Sequence, residues 1–270
     1  MEVLNYKKCA NNLYEVRLDN GEKYKLYEDV IVNHELLIDK RITDVKLKKI
    51  LHDNDLYASY YKALKYIAIK MRTEKEIEVY LKKNNFDKEA IDYSIQKLKN
   101  DGYINEKVYV EAFINDALNL SYDGPKKITN DLLKLGINED LILNKLNYNE
   151  EFWESRIKNI LTKKAKTNKN SLAMFKNKMY SHLSLLGYET KNIKNALEDF
   201  KLDTTNTFKK DADKIWNTLE KKLPTDKIKW QFRNKMYLKG YTEDEINNYI
   251  YEKRNYWKYL FFAFSFSSLM

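Results

Sequence analysis

The sequence predicts a mostly α-helical protein, built from tandem three-helix repeats in an elongated curved array with a small β-hairpin at the N-terminus. Three observations predict this fold. Only six glycines and two prolines occur among 270 residues, which favours long helices over turn-rich β-structure. An apolar pattern recurs about every 51 residues. One turn signal lies between two alternating runs near the N-terminus.

The N-terminal segment is predicted to hold the hairpin and a helix that leads into the repeats. Leu13 to Leu18 and Glu22 to Tyr27 flank Asp19-Asn20-Gly21, a sequence typical of a tight turn between antiparallel strands. Arg41 to Asp55 has the pattern of a helix.

Four copies of one unit follow. Their anchor residues, spaced 51, 51 and 53 residues apart, are Phe86, Ile137, Tyr188 and Tyr241. The positions nine and five residues before each anchor, and five and nine residues after it, are apolar in every copy. These positions are Ile77, Leu81, Ile91 and Ile95; Ile128, Leu132, Ile142 and Leu146; Met179, Leu183, Ile193 and Leu197; and Phe232, Met236, Ile246 and Ile250. Because residues four apart share a helix face, each pair marks a short amphipathic helix.

Each anchor is expected to lie in the turn of a helix-turn-helix joint. Asn85, Gly136, Gly187 and Gly240 precede the anchors and suit the left-handed backbone that ends a helix. Helix N-caps are predicted downstream at Asp87, Asn138, Thr190 and Thr242. A further apolar helix precedes each joint, at Tyr60 to Lys70, Val108 to Leu120, Phe152 to Lys163 and Ile215 to Lys222.

These patterns divide the chain into six segments. They are the hairpin with its lead-in helix (1–55), repeat 1 (56–104), repeat 2 (105–150), repeat 3 (151–202), repeat 4 (203–255) and an apolar C-terminal tail (256–270). The tail is shorter than the ~20 residues that span a membrane, so no membrane partner is expected. It is interpreted as a helix packed on repeat 4, with a partner-binding or interfacial tail as the alternative.

The sequence favours a cytoplasmic protein that is not an enzyme. Cys9 is the single cysteine, and the N-terminus lacks the apolar stretch of a secretory signal. The glycines are all assigned to turns or helix ends, so none remains for a phosphate-binding loop and no cofactor is expected. His34, His52 and His182 have no metal-ligand spacing, so no metal site is expected either.

One block of positive charge exceeds the background of this basic chain, whose formal net charge is +9. No acidic residue occurs between Ser155 and Tyr188, and the cations there are Arg156, Lys158, Lys163, Lys164, Lys166, Lys169, Lys176 and Lys178. We call these eight residues the basic block. A solvated helix face usually mixes charges, so the block is the leading candidate for contact with DNA phosphates or an acidic protein surface. The alternative is a solubilising face. Lys126 and Lys127 form a smaller candidate at the start of a helix.

Aromatic residues interleave with these lysines and can stack on unpaired bases. They are Trp153, Phe175, Tyr180, Trp216, Trp230 and Trp257. Their positions in the repeats favour core packing for most of them.

The first two repeats share a set of residues with a known family. These residues include Arg72, Thr73, Glu76, Leu81 and Phe86, then Leu98, Asp101, Gly102, Tyr103 and Ile104, then Ala112, Phe113, Gly124, Pro125, Lys126, Lys127, Ile128, Leu132, Gly136 and Ile137. In their order and spacing they resemble the RecX family, bacterial regulators of the RecA recombinase. The resemblance is strong over residues 60–147 and weaker through repeat 3. Leu135 departs from it, since a basic residue usually precedes the family's glycine, and repeat 4 lies beyond the three repeats expected in short members.

The resemblance implies a protein that lies in the groove of the RecA filament on single-stranded DNA. It also implies repression of strand exchange, ATP hydrolysis and coprotease action. The expected partners are therefore the RecA filament and single-stranded DNA, with duplex DNA as a further candidate, and a monomer is expected. A basic block and helix-turn-helix joints also suit an independent, sequence-nonspecific DNA-binding protein, which stays the alternative.

Overall fold

The structure, a computed structural model, describes residues 1–10 and 12–253 and is mainly helical. Its three strands are β1 (Val3–Ala10), β2 (Leu13–Leu18) and β3 (Lys23–Tyr27). Its helices are α1 (Glu28–Asn33), α2 (Asp44–Ile67), α3 (Glu74–Lys83), α4 (Lys88–Asn100), α5 (Glu106–Leu120), α6 (Pro125–Lys134), α7 (Glu139–Lys145), α8 (Glu150–Ala165), α9 (Leu172–Leu185), α10 (Thr190–Glu198), α11 (Thr205–Glu220) and α12 (Thr225–Leu238). Residues 243–253 are also helical. The mostly α-helical prediction is confirmed. The predicted C-terminal tail lies outside the described residues.

The predicted hairpin is present but is part of a larger sheet. β2 and β3 pair antiparallel around the turn at Gly21, whose φ is +90°. β1 pairs antiparallel with β2, which gives a three-stranded sheet in the order β1-β2-β3. The predicted hairpin is therefore confirmed, and β1 adds a third strand that was not predicted. β1 was missed because Asn5, Lys7 and Lys8 give it a polar sequence, and only one of its faces packs on a core.

The predicted lead-in helix and the first helix of repeat 1 are one continuous helix, α2. No glycine or proline interrupts its 24 residues, so nothing in the sequence ends it near Asp55. The predicted segment boundary between residues 55 and 56 consequently lies inside a helix. α2 contributes Ile50 to the core under the sheet and Tyr60 and Ala63 to the core of repeat 1.

The chain divides into two compact units. One comprises Met1–Asn119 with Thr129–Leu146, and the other comprises Leu120–Ile128 with Asn147–Met270, of which residues up to 253 are described. The second repeat contributes to both units. In the first unit, α2, α3 and α4 pack on one another, while in the second α8 and α9 pack on α10, and α11 packs on α12.

The apolar positions of the repeat pattern form the cores. Fifteen of the sixteen are buried, and the remaining one, Ile95, is partly buried against the core of repeat 1. Three of the four anchors are buried, and Phe86 is partly buried. The period read from the sequence is therefore the period of core packing.

Three of the four predicted N-caps are confirmed. Asp87 and Asn138 accept hydrogen bonds from the first turns of α4 and α7, and Thr242 forms a reciprocal pair of bonds with Glu245. Thr190 is instead the first residue of α10, and the N-cap is Glu189, whose side chain makes no capping bond. The sequence pattern misplaced this start by one residue because Glu is not a preferred capping residue.

Consecutive repeats contact each other through their second helices. The start of the second helix in one repeat meets the end of the second helix in the next. In the first unit, the Thr73 hydroxyl donates to the Leu135 carbonyl at 2.9 Å. In the second unit, the Gly124 amide donates to the Leu186 carbonyl at 2.7 Å, and the Ser171 hydroxyl donates to the Lys239 carbonyl at 2.6 Å.

The glycines before three anchors lie at these contacts. Gly136, Gly187 and Gly240 have φ of +86°, +83° and +76°. A Cβ added at Gly187 would lie 2.4 Å from the backbone nitrogen of Lys127, closer than any real contact. Asn85 has a φ of +63° at the corresponding position of repeat 1 and is exposed. Glycine is therefore needed where the preceding repeat packs against the joint, and asparagine is tolerated where no repeat precedes it.

Candidate nucleic-acid and partner interface

Lys126 and Lys127 lie in the first turn of α6, where the chain contacts the joint of repeat 3. The Lys126 amide donates to the Gly187 carbonyl at 3.0 Å, and its Nζ lies 2.7 Å from Glu189 Oε2. Lys127 Nζ lies 2.6 Å from Asp123 Oδ1. Both ammonium groups therefore have carboxylate partners within their own unit. The two lysines therefore have a structural role where repeat 2 contacts repeat 3. Their role in binding a partner stays a prediction.

Arg156 differs from most other residues of the basic block in its burial and contacts. It is half-buried on α8, and its Nη2 donates to the Ser121 carbonyl at 3.2 Å. Burial raises the pKa of the neighbouring Tyr188 hydroxyl, while the Arg156 guanidinium opposes that rise. The Arg156 guanidinium therefore lies beside the buried anchor of repeat 3.

Three lysines of the block lie on α8 and are exposed. They are Lys158, Lys163 and Lys164. Lys163 and Lys164 are in the last turn, where a positive charge interacts favourably with the negative end of the helix dipole. Lys163 Nζ lies 3.4 Å from the Tyr122 hydroxyl and 5.4 Å from the centre of that ring. Lys163 therefore has a local structural role in addition to its charge.

The remaining lysines lie after α8 and on α9. Lys176 Nζ donates to the Glu198 carbonyl at 3.2 Å, and Lys178 Nζ donates to Asn170 Oδ1 at 3.2 Å. Lys166 and Lys169 are exposed in the connection between α8 and α9. No lysine of the block forms an ion pair with a carboxylate in the part of the chain that the structure describes. Their positive charge is therefore not neutralised locally.

We call Lys164, Lys166 and Lys169 the loop lysines. They are exposed at the end of α8 and in the connection that follows, and none of their ammonium groups has a hydrogen-bond or ion-pair partner among the described residues. Because their long side chains are free to move, they can adjust to phosphates or carboxylates on a partner. They are the part of the basic block best placed to bind.

Most of the aromatic residues near the block are in the core. Trp153, Phe175 and Trp216 are buried, as their repeat positions predicted. Trp230 is 65% exposed on α12, and Tyr180 is at the surface of α9. Trp257 lies outside the described residues. Of the five described residues in this set, Trp230 and Tyr180 are therefore the ones whose rings are accessible to bases.

The family-like residues of repeat 1 form a structural cluster. Thr73 and Glu76 make reciprocal hydrogen bonds that cap α3. Arg72 Nη1 lies 3.0 Å from Glu76 Oε1, and its guanidinium lies 3.9 Å from the centre of the Tyr66 ring. These residues start α3 and connect it to repeat 2 through Thr73.

No metal centre or membrane span is found within the described ranges. No three His, Cys, Asp or Glu side chains there are grouped to hold a metal ion. Among the same residues, no helix is both long enough and apolar enough to cross a bilayer.

Comparison of the sequence with known proteins shows to which family the chain belongs. A family model described as "RecX, first three-helix domain" matches residues 60–98. The regulatory protein RecX of Streptococcus agalactiae is 31% identical over 246 residues, covering 89% of this chain and 95% of that protein. The chain belongs to the RecX family. A RecX of Bacillus cytotoxicus is 29% identical over 268 residues, covering 94% of this chain and 96% of that protein.

Two crystal structures of RecX proteins are also similar. One has a TM-score of 0.64 at 19% identity and covers 74% of this chain and 99% of its own, which supports the fold alone. The other, from Lactobacillus salivarius, has a TM-score of 0.50 at 27% identity and covers 54% of this chain and 97% of its own. The comparisons confirm the resemblance of the first two repeats to RecX and extend it to most of the chain.

Proposed function

We propose that this chain is a negative regulator of the RecA recombinase. It binds the RecA filament on single-stranded DNA and inhibits ATP hydrolysis, strand exchange and coprotease action. The observation that carries the proposal is membership of the RecX family, whose relatives are named regulatory proteins and not enzymes. The proposal also places the chain in the cytoplasm as a monomer.

The charge of the basic block supports a polyanionic or acidic partner. Its lysines have no carboxylate partners among the described residues. Their ammonium groups can therefore form ion pairs with phosphates or with an acidic protein surface. The loop lysines are expected to contribute most, because they adjoin one another and have no such contacts, whereas the side chains of Arg156, Lys163, Lys176 and Lys178 also contact their own unit.

The ATPase rate of RecA on single-stranded DNA tests this function. With RecA and DNA fixed, the wild-type protein should inhibit at amounts well below those of RecA. Inhibition of that kind cannot come from competition for DNA. If equimolar protein leaves the rate unchanged while it demonstrably binds DNA, the proposal is wrong and the independent DNA-binding protein replaces it.

The triple variant K164Q/K166Q/K169Q tests the loop lysines. We expect roughly tenfold more protein for half-maximal inhibition, because each exposed pairing contributes about 0.2–1 kcal/mol. The thermal midpoint should stay within about 1 °C, since these side chains pack on nothing.

A matched control is K209Q/K210Q/K214Q, which removes three exposed lysines from α11 in the same unit. It changes the net charge by the same amount. Equal losses in the two triple variants would show that total charge, and not the position of the loop lysines, determines inhibition.

A further inference from the structure

The N-terminal sheet carries a row of cations on the face turned away from its core. Strand register places Lys7, Glu15 and Lys25 side by side, and places Asn5, Arg17 and Lys23 in the adjacent row. Because side chains alternate along a strand, these six share one face. Their strand neighbours Val16 and Leu26 point the other way and are buried in the core that includes Val30 and Ile31.

This outward face is strongly positive. It has four cations and a single carboxylate, Glu15, whose Oε1 lies 3.5 Å from Lys23 Nζ. Lys7, Arg17 and Lys25 are exposed, and no ion pair to them occurs within the described part of the chain. Neighbouring strands are about 4.8 Å apart and alternate residues about 6.8 Å apart, so the cations form a compact grid.

The same face leads into a cavity lined by aromatic rings. Leu13 and Tyr27 are cross-strand partners two residues beyond Glu15 and Lys25. They border a cavity of about 350 Å³, which is within the range of ligand sites. Its wall is completed by residues of α2, among them Tyr61, Lys62 and Lys65.

The rings in this cavity are held in place. Tyr27 and Tyr61 are stacked, with centres 4.8 Å apart and planes inclined by 18°. The Tyr61 hydroxyl donates to Asp29 Oδ2 at 2.5 Å and accepts from Asn12 Nδ2 at 3.0 Å. Burial and the bond to Asp29 raise the pKa of Tyr61 to about 12, so its hydroxyl stays protonated at neutral pH.

We propose that this surface, the sheet site, binds single-stranded nucleic acid. Its defining residues are Lys7, Arg17, Lys23, Lys25, Tyr27, Tyr61, Lys62 and Lys65. Phosphates lie along the two rows of cations, and an unpaired base enters the tyrosine-lined cavity between Lys62 and Lys65. Positive grooves with aromatic side chains are the arrangement that binds single strands without sequence preference.

Single strands fit this surface better than the other polyanions. A duplex keeps its bases stacked and paired, so it would use the cations and leave the cavity empty. An acidic protein surface would likewise pair with the cations and give the cavity no role. The sheet site lies wholly in the first unit, whereas the basic block lies in the second. It also requires no recombinase, so it can be tested separately from the regulatory function.

The first test measures binding of a fluorescent oligothymidine to the full chain by anisotropy, at several salt concentrations and without RecA. Each phosphate neutralised on a single strand contributes about −0.7 to the slope of log K against log salt. The variant K7Q/R17Q/K25Q should therefore reduce the magnitude of the slope by about 2. The variant K82Q/K83Q/K88Q, which removes three exposed lysines near the end of α3 and the start of α4, should leave it near the wild-type value.

The second test concerns the cavity. Tyr27→Leu keeps an apolar side chain but removes the ring, and should weaken binding of oligothymidine about tenfold without changing the salt slope. An oligonucleotide with the same backbone but abasic sugars should bind the wild-type protein about as weakly as oligothymidine binds this variant. Circular dichroism checks that the variants are folded.

Three results would overturn the sheet site. One is an unchanged slope in K7Q/R17Q/K25Q, and another is an equal loss in the two triple variants. The third is equal affinity of the wild-type protein for abasic and thymidine strands. That result needs no variant and would show that no base binds in the cavity. None of these measurements contains RecA, so ATPase inhibition can persist when the sheet site fails, and the sheet site can persist when inhibition fails.

Discussion

Replacing Gly187 with alanine should destabilise the second unit by about 3–4 kcal/mol. An L-residue at a φ of +83° costs about 1–2 kcal/mol. The new Cβ would also lie 2.4 Å from the Lys127 backbone nitrogen, so α6 and the joint must separate. That movement breaks the bonds from Lys126 to Gly187 and from Gly124 to Leu186, each worth about 1 kcal/mol.

Urea unfolding followed by tryptophan fluorescence measures this change, because Trp153, Trp216 and Trp230 belong to the second unit and no tryptophan precedes residue 147 in the sequence. Gly102→Ala is the control for the backbone term, since φ there is +78° and nothing lies within 4 Å of the added Cβ. It should cost about 1–2 kcal/mol, measured by circular dichroism. Asn85→Gly should change stability by less than about 1 kcal/mol. Equal costs for Gly187→Ala and Gly102→Ala would contradict the close packing of the repeats.

Leu183→Ala should cost about 3–5 kcal/mol. Leu183 is fully buried on α9 at one of the repeated apolar positions, and its truncation leaves a cavity that close-packed neighbours fill only in part. The same fluorescence-detected urea unfolding should show a lower midpoint with an unchanged slope.

Leu185→Ala is a matched control for this substitution. Leu185 lies two residues away on the same helix and is 82% exposed. Its truncation should change the free energy of unfolding by no more than about 0.5 kcal/mol. Similar losses at the two positions would mean that helix propensity, and not burial, determines the effect.

The repeat and its core were predictable from the sequence because core packing imposes a period on the chain. Ile142 and Ile193 could be assigned to the core without any knowledge of their neighbours, since the same apolar residue recurs at the same offset from each anchor. β1 and the length of α2 were not predictable in this way. Each occurs only once in the chain, so no repetition separates pattern from chance.

The candidate sites were less predictable. A run of positive charges without acids is visible in the sequence. The sequence does not show that Arg156 is half-buried beside Tyr188 while the loop lysines are exposed, because this difference depends on which elements pack nearby. The sheet site gave a weaker signal still. Lys7, Arg17 and Lys25 come from three different strands, and only the register of the sheet places them side by side.

The contact between Thr73 and Leu135 has a consequence for how the protein unfolds. The Thr73 hydroxyl accepts a hydrogen bond from the Glu76 amide at the start of α3 and donates one to the Leu135 carbonyl at the end of α6. Loss of structure at the end of α6 thus removes one of the contacts that hold the start of α3 in the repeat before it. Because both contact points lie in the first unit, their local opening should be coupled. Amide hydrogen exchange would then show the first turn of α3 and the last turn of α6 losing protection together.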